Sequence, residues 1–201
     1  YLIYLILTAA ETICLRIAGM TWFDSVCHAM CTISTGGFST KNASVAAFQS
    51  LAVDWIIILF MLLAGINFTL LFLLARRDFS AVRKDEELRL YLFAILGGSA
   101  VILLALLAQA GASPSFTLLT DVVFQVVTLI TSTGYATADY MLWPTLTHCV
   151  LLALMFMGGC AGSTAGGVKC VRIVLLHKML RRAVNKVLHP REVHAIMLSG
   201  K

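Results

Sequence analysis

An internal repeat constrains the fold of this chain more than any other feature of its sequence. Residues 24–40 and 121–137 align without a gap at a constant offset of 97 residues. Self-similarity at a fixed offset is typical of a repeated structural unit. We therefore expect two copies of one unit. The matched pairs are Asp24 with Asp121, Val26 with Val123, Ile33 with Ile130, Gly37 with Gly134, Phe38 with Tyr135 and Thr40 with Thr137.

Long apolar segments flank both copies, at residues 1–19, 51–75, 88–110 and 141–176. Each is long enough to cross a hydrocarbon core, which requires about 20 residues. The repeated stretches between them are too short to cross, so we expect them to re-enter. A chain with 60% apolar and 12% charged residues cannot cover the surface of a water-soluble globule. The sequence predicts an all-α membrane protein built from two parallel repeats of helix, re-entrant helix with a glycine turn, and helix.

The basic residues are concentrated, because 13 of the 15 Lys and Arg lie in residues 76–89 and 169–201. Basic loops stay in the cytoplasm, so both glycine turns are expected to open on the opposite side. The domains follow from this pattern. They are a first pore repeat (1–75), a cytoplasmic linker (76–89), a second pore repeat (90–176) and a basic cytoplasmic segment (177–201).

Two turns, residues 34–40 and 131–137, are the candidate functional elements, and we call them the first turn and the second turn. Non-helical backbone at membrane depth leaves carbonyls without partners unless they line water or an ion path. Cation filters use such carbonyls to replace the hydration shell of an ion. An ordinary glycine turn is the alternative, but its appearance twice in register disfavours it. The candidate filter residues are Thr35, Gly36, Gly37, Phe38, Ser132, Thr133, Gly134 and Tyr135.

Within these turns, Gly37 and Gly134 supply the positive φ that turns successive carbonyls toward an axis. We expect Phe38 and Tyr135 to pack behind the filter against the spanning helices. The side chains of Thr35 and Thr133 are expected to add hydroxyl oxygens.

A glycine-rich loop, residues 158–167, interrupts the last apolar segment with five glycines in ten residues. Each Gly costs about 1 kcal/mol in a helix interior, so we expect a break there. Close packing of helices through small residues is the alternative. A phosphate-binding loop is excluded, because Lys169 is followed by Cys170 rather than Ser or Thr. The candidate residues are Gly158, Gly159, Gly162, Ser163, Thr164, Gly166 and Gly167.

Three polar side chains within the apolar segments need a partner or a function. Glu11 is deep enough that we expect it to pair with a group in another repeat. Asn67 fits either a hydrogen bond across helices or a pore-facing amide. His28 has no neighbouring carboxylate or nucleophile, so we interpret it as structural.

The two turns and the glycine-rich loop resemble the Trk/Ktr/HKT superfamily of potassium transporters, most closely its bacterial TrkH type. The matching stretches are residues 36–44, 133–139, 158–167 and 189–191. The resemblance implies that this chain holds the second and third of four pore repeats, half of a pseudo-fourfold pore-loop channel fold. It also implies that residues 158–167 form an intramembrane gating loop beneath the filter.

The resemblance further implies a function, potassium uptake across the bacterial plasma (inner) membrane through a carbonyl-lined filter. Potassium is then the transported ion, held at the filter residues, with no other metal, no bound cofactor and no enzymatic step. The implied partners are membrane lipid, the other pore repeats of the same polypeptide, a second copy in a homodimer and a cytosolic nucleotide-binding regulatory subunit. Nucleic acid is not expected. An ion-coupled secondary transporter with broken helices is the alternative, although its repeats are commonly inverted.

Overall fold

The computed structural model describes residues 2–109 and 115–188, except for the side chains at 80, 81, 109 and 186–188. These ranges contain helices and no strand, as the sequence predicts. Two 3₁₀ turns, Ser44–Phe48 and Tyr140–Leu142, lie between helices. The helices are α1 Leu2–Ile17, α2 Trp22–Ile33, α3 Leu51–Gly65, α4 Phe68–Ala75, α5 Phe79–Lys84, α6 Glu86–Gln109, α7 Phe116–Ile130, α8 Thr145–Met157 and α9 Cys170–Leu188.

The two repeats follow one another in the same order of elements. The short helices α2 and α7 end at Ile33 and Ile130, which match at the predicted offset. Each is followed by a glycine turn, a 3₁₀ turn and a second helix, α3 or α8. The repeat is therefore parallel, as the sequence predicts.

Hydroxyl side chains start both short helices. The Oγ1 of Thr21 accepts the Asp24 N–H at 3.1 Å, and the Oγ of Ser115 accepts the Thr117 N–H at 3.3 Å. Such caps satisfy amides that have no partner within the helix. Each turn is thus reached through a helix whose start is fixed by its own sequence.

The long apolar segments are less continuous than predicted. Among the described residues, Glu86–Ala108 is apolar and long enough to cross a membrane, and α3 with α4 qualifies only as one span bent by 105°. The segment 51–75 breaks because Asn67 caps a new helix, its Oδ1 accepting the Thr69 N–H at 2.8 Å. Helix α1 has 16 residues, and α8, with 13, ends at the break predicted from residue 158, so the break that was not expected is the one within 51–75.

Two predicted boundaries also fall inside helices. Helix α9 continues across position 176, where the second repeat was expected to end. The predicted linker, residues 76–89, contains α5 and the start of α6. Residues 189–201, which hold the predicted link to a further repeat, lie outside the described residues.

The second short helix lies at the centre of the core and the first lies at its edge. Helix α7 packs against α3, α6 and α8, and its residues Phe124, Val126 and Ile130 are fully buried. Helix α2 packs against α1 and α3, while Phe23 and Met30 are 71% and 57% exposed. The first short helix therefore keeps an open apolar face.

Candidate functional site

The two turns share an unusual backbone. Positive φ angles occur at Thr35 (54°) and Gly37 (67°), and again at Ser132 (59°) and Gly134 (86°). A strand points successive carbonyls to opposite sides, whereas alternation of φ sign at every second residue turns them to one side. Left-handed φ at Thr35 and Ser132 costs about 1–2 kcal/mol each, a strain typical of functional segments.

A carboxylate ties the end of each turn to the start of its short helix. Asp24 Oδ1 accepts the Thr40 hydroxyl at 2.5 Å, and Asp121 Oδ1 accepts the Thr137 hydroxyl at 2.9 Å. The sequence repeat contains both pairs, but it does not by itself show that they touch. The hydroxyls of Thr40 and Thr21 hold the pKa of Asp24 below its usual range, and the ammonium of Lys41 adds to this.

The turns meet each other at Gly37. A Cβ placed on Gly37 would lie 1.8 Å from the carbonyl oxygen of Thr133, so only glycine fits there. A Cβ on Gly134 would meet nothing within 4 Å. Matched positions in the two turns therefore have different surroundings.

The two aromatic residues differ in the same way. Tyr135 is buried, its ring stacks on His28 at a centroid distance of 5.8 Å, and its hydroxyl donates to the carbonyls of His28 (3.2 Å) and Phe38 (3.4 Å). Phe38 is 79% exposed. The expectation that both rings pack behind the turns is wrong for Phe38, because nothing in the described part of the chain covers it.

Both expected hydroxyls have partners in the structure. Thr133 Oγ1 is buried 2.8 Å from Thr131 Oγ1, and Thr35 Oγ1 donates to the Thr164 carbonyl at 3.0 Å. A hydroxyl that donates its proton keeps lone pairs that can bind a cation. The expectation that these hydroxyls add ion ligands therefore stays a prediction.

His28 supports the first turn from behind. Its ring nitrogens lie 2.8 Å from the Asp24 carbonyl (Nδ1) and 2.9 Å from Ser39 Oγ (Nε2). The carbonyl can only accept, so Nδ1 carries the proton and Nε2 accepts from Ser39. Gln125 occupies the matching position of the second repeat and donates to the Ala138 carbonyl at 3.2 Å. The sequence contains no spacing that would have linked His28 to the turn.

The glycine-rich loop lies against the start of both turns. Thr164 Oγ1 is within hydrogen-bond distance of the Ile33 carbonyl at 2.8 Å and the Ala64 carbonyl at 3.2 Å. A Cβ on Gly166 would lie 3.0 Å from Ser132 Oγ. The loop is non-helical, as predicted, and it lies beside the ends of both short helices.

The same loop rests on the break between α3 and α4. The Cys160 N–H donates to the Gly65 carbonyl at 2.9 Å, and the Phe68 N–H donates to the Gly162 carbonyl at 3.2 Å. Asn67 therefore starts α4 and borders the loop, since a Cβ on Gly162 would lie 3.1 Å from its Oδ1. The break between α3 and α4 and the glycine-rich loop thus supply hydrogen-bond partners for each other's free backbone groups.

Glu11 is fully buried where α1 packs against α2. The expected pairing of Glu11 with a group in another repeat stays a prediction. In the described part of the chain no group of three or more His, Cys, Asp or Glu could hold a metal ion. Any cation bound at the turns would therefore depend on backbone and hydroxyl oxygens.

Comparison with known proteins places this geometry in a family. The model of the TrkH family, described as a cation transport protein, matches residues 1–201. The chain belongs to the TrkH family. The potassium transporter TrkH from Vibrio parahaemolyticus, solved by crystallography, matches with a TM-score of 0.90 and 37% identity over 98% of this chain and 43% of that chain. The predicted all-α pore-loop membrane fold is thereby confirmed.

Curated TrkH-family relatives support the same assignment. The Trk system potassium uptake protein TrkH of Salmonella typhimurium is 38% identical over all of this chain and 42% of its own length. The protein of the same name from Escherichia coli K12 is 37% identical over the same shares. The chain thus spans about two fifths of these relatives.

Proposed function

We propose that this TrkH-family chain forms part of a path by which potassium ions enter the cell. The observation that carries the proposal is the matched backbone of the two turns, with positive φ at 35 and 37 and again at 132 and 134. Carbonyls aligned in this way can replace the hydration shell of a cation. The relatives' names as potassium uptake proteins support potassium as the ion.

The ligands are the carbonyls of residues 35–37 and 132–134. The Phe38 carbonyl accepts a hydrogen bond from Tyr135, which supports a role in fixing the turns. No covalent step is proposed, and no bound cofactor is required. Ions then move along the path without chemical change to any group of the protein.

The whole protein completes the ring of turns with further repeats. The second turn covers Gly37, whereas the matched Gly134 faces open space. The first short helix covers Tyr135, whereas the matched Phe38 is exposed. A neighbouring repeat on each side would cover both exposed positions, and the relatives are long enough to contain them.

The glycine-rich loop is the gate of this path. Its contacts with Thr35 and Ser132, at the start of each turn, support this role. Helix interiors are rigid, whereas a glycine-rich segment changes conformation at low cost. Displacement of the loop would open the path without altering the turns.

The remaining proposals concern location and partners. The chain lies in the bacterial plasma membrane, in contact with lipid. The exposed basic part of α9 offers a contact for a cytosolic nucleotide-binding regulatory subunit, and two copies of the whole protein pair as a homodimer.

Rubidium-86 uptake tests this function. The full-length protein containing this chain is expressed in bacteria that lack their own potassium uptake systems, beside its Gly37→Ala and Gly97→Ala variants. Gly37→Ala is expected to reduce uptake at least about 100-fold, because its Cβ would meet the second turn. Gly97 lies in α6 with nothing near its Cβ position, so Gly97→Ala is the matched control.

Either of two results would overturn the proposal: no uptake by the parent, or parental uptake by Gly37→Ala at equal abundance in the membrane. Uptake that needs an imposed proton or sodium gradient would instead indicate a coupled secondary transporter.

A further inference from the structure

The side chain of Glu87, near the start of α6, contacts the glycine-rich loop. Its Oε1 accepts the Ala161 N–H at 2.6 Å and the Val171 N–H at 3.0 Å. Glu87 is 8% exposed. One carboxylate oxygen thus holds two amides that are ten residues apart in the chain.

The two amides lie on either side of the loop's centre. Ala161 belongs to the loop itself, and Val171 lies in the first turn of α9. Between them are Thr164, which contacts the end of α2, and Gly166, which contacts Ser132. Glu87 therefore joins the beginning and the end of the segment that lies against both turns.

Backbone contacts also join the two ends of the glycine-rich loop, residues 156–159 and 166–170, which we call the neck of the loop. The Cys170 N–H donates to the Gly159 carbonyl, and the Val168 N–H to the Phe156 carbonyl, both at 3.0 Å. A Cβ on Gly158 would lie 2.3 Å from the Gly166 carbonyl oxygen, so the two sides of the neck touch. The Ala161 and Val171 amides are left for a side chain to satisfy, and Glu87 does so.

Tyr91, one helical turn beyond Glu87, braces the neighbouring break. A Cβ on Gly65 would lie 2.3 Å from Tyr91 Oη, and the Gly65 carbonyl accepts from Cys160 in the loop. Residues four apart share one helix face. This face of α6 therefore contacts both the loop and the broken helix on which the loop rests.

We propose that Glu87 is a positioning residue that holds the glycine-rich loop in its closed arrangement. This inference rests on the proposed role of the loop as a gate. Hydrogen bonds to a charged acceptor are stronger than those to a neutral one, and a buried amide that loses its acceptor is destabilised. Loss of the Glu87 carboxylate therefore destabilises the closed loop relative to an open one and shifts the population toward the open one.

Ion flux and thiol labelling together test this proposal, with full-length protein reconstituted into proteoliposomes. The variants are Glu87→Ala, which removes the acceptor of both hydrogen bonds, and Glu87→Gln, which keeps a neutral acceptor of the same shape. Glu86→Ala is the matched control. Glu86 pairs with Lys178 on α9, and its replacement by Ala makes the same change in charge as Glu87→Ala. Rubidium flux is measured with potassium and sodium as competitors.

Glu87→Ala is expected to raise flux about tenfold with unchanged preference for potassium over sodium, and Glu87→Gln to raise it by a smaller factor. Glu86→Ala is expected to stay within about twofold of the parent. Cys160, within the loop, and Cys170, just after it, are fully buried, so their labelling by a maleimide should accelerate in Glu87→Ala, while that of the exposed Cys149 should not.

The result that overturns the proposal is parental flux and parental labelling of Cys160 and Cys170 in Glu87→Ala. If Glu87→Ala does not reach the membrane, Glu87→Gln decides by the same two measurements. An equal rise in flux in Glu86→Ala would also overturn it, because the effect would then belong to the α6–α9 contact. Absence of flux in the parent would instead contradict the proposed function, and the labelling rates would still decide whether Glu87 holds the loop.

Discussion

The first and second turns have nearly the same backbone but opposite surroundings. Both carry positive φ at their second and fourth residues, and both are tied by an aspartate to the start of a short helix. Yet Gly37 is pressed against Thr133, while the matched Gly134 has open space beside it. Local sequence thus sets the shape of a turn, and its neighbours in the fold set what it touches.

The aromatic residues show the same contrast. Tyr135 fills the space behind the first short helix and is buried, whereas Phe38 is exposed. Helix α7 is enclosed by α3, α6 and α8, while α2 keeps an apolar face uncovered. The proposed ring of repeats accounts for this difference, because a further repeat would cover both open positions.

The variant expected to have the largest effect on this comparison is Gly134→Ala in the full-length protein. If a further repeat lies against Gly134 as the second turn lies against Gly37, the variant should lose rubidium uptake about 100-fold, as Gly37→Ala does. Strain from a left-handed alanine alone amounts to only about 1–2 kcal/mol. Uptake within about tenfold of the parent would show that the space beside Gly134 stays open.

Removal of the aromatic rings should have the next largest effect. Tyr135→Ala is expected to destabilise the purified full-length protein by about 3–5 kcal/mol, as for other buried aromatic residues. Phe38→Ala should destabilise it by a similar amount, because a further repeat would bury Phe38. Thermal unfolding in detergent measures both losses of stability. A Phe38→Ala variant as stable as the parent would contradict the proposed ring of repeats.

A smaller effect is expected from protonation of Asp24. Because hydrogen bonds from Thr40 and Thr21 lower the pKa of Asp24, its contribution to stability is present above the unfolded pKa near 3.8. That contribution is lost as the pH falls through the still lower pKa of the folded protein.

The measurement is the melting temperature of the parent minus that of Asp24→Asn, taken from pH 6 down to pH 2.5. The difference should be constant above about pH 5 and shrink at the acid end. A difference that does not change with pH would show that the Asp24 carboxylate contributes nothing as a charge.

Much of the architecture could be predicted from sequence because it depends on local pattern. The offset of 97 residues located both short helices and both turns, and five glycines in ten residues located the loop at residues 158–167. The break at Gly65–Asn67 was missed, because the apolar character of residues 51–75 continues through it. Its cause is a cap by Asn67 and a partner loop nearly 100 residues away, which no local pattern reveals.

By itself, the sequence determined that the chain lies in a membrane, that it contains a parallel repeat, and that glycines occupy the turns. These features follow from hydropathy, periodicity and the φ range open to glycine, all of which act over a few residues. Only the tertiary structure decided which glycine is pressed against a neighbour, which aromatic is buried and which carboxylate holds the loop. Those properties depend on contacts between distant segments, such as Gly37 with Thr133 and Glu87 with Ala161, and packing alone brings them together.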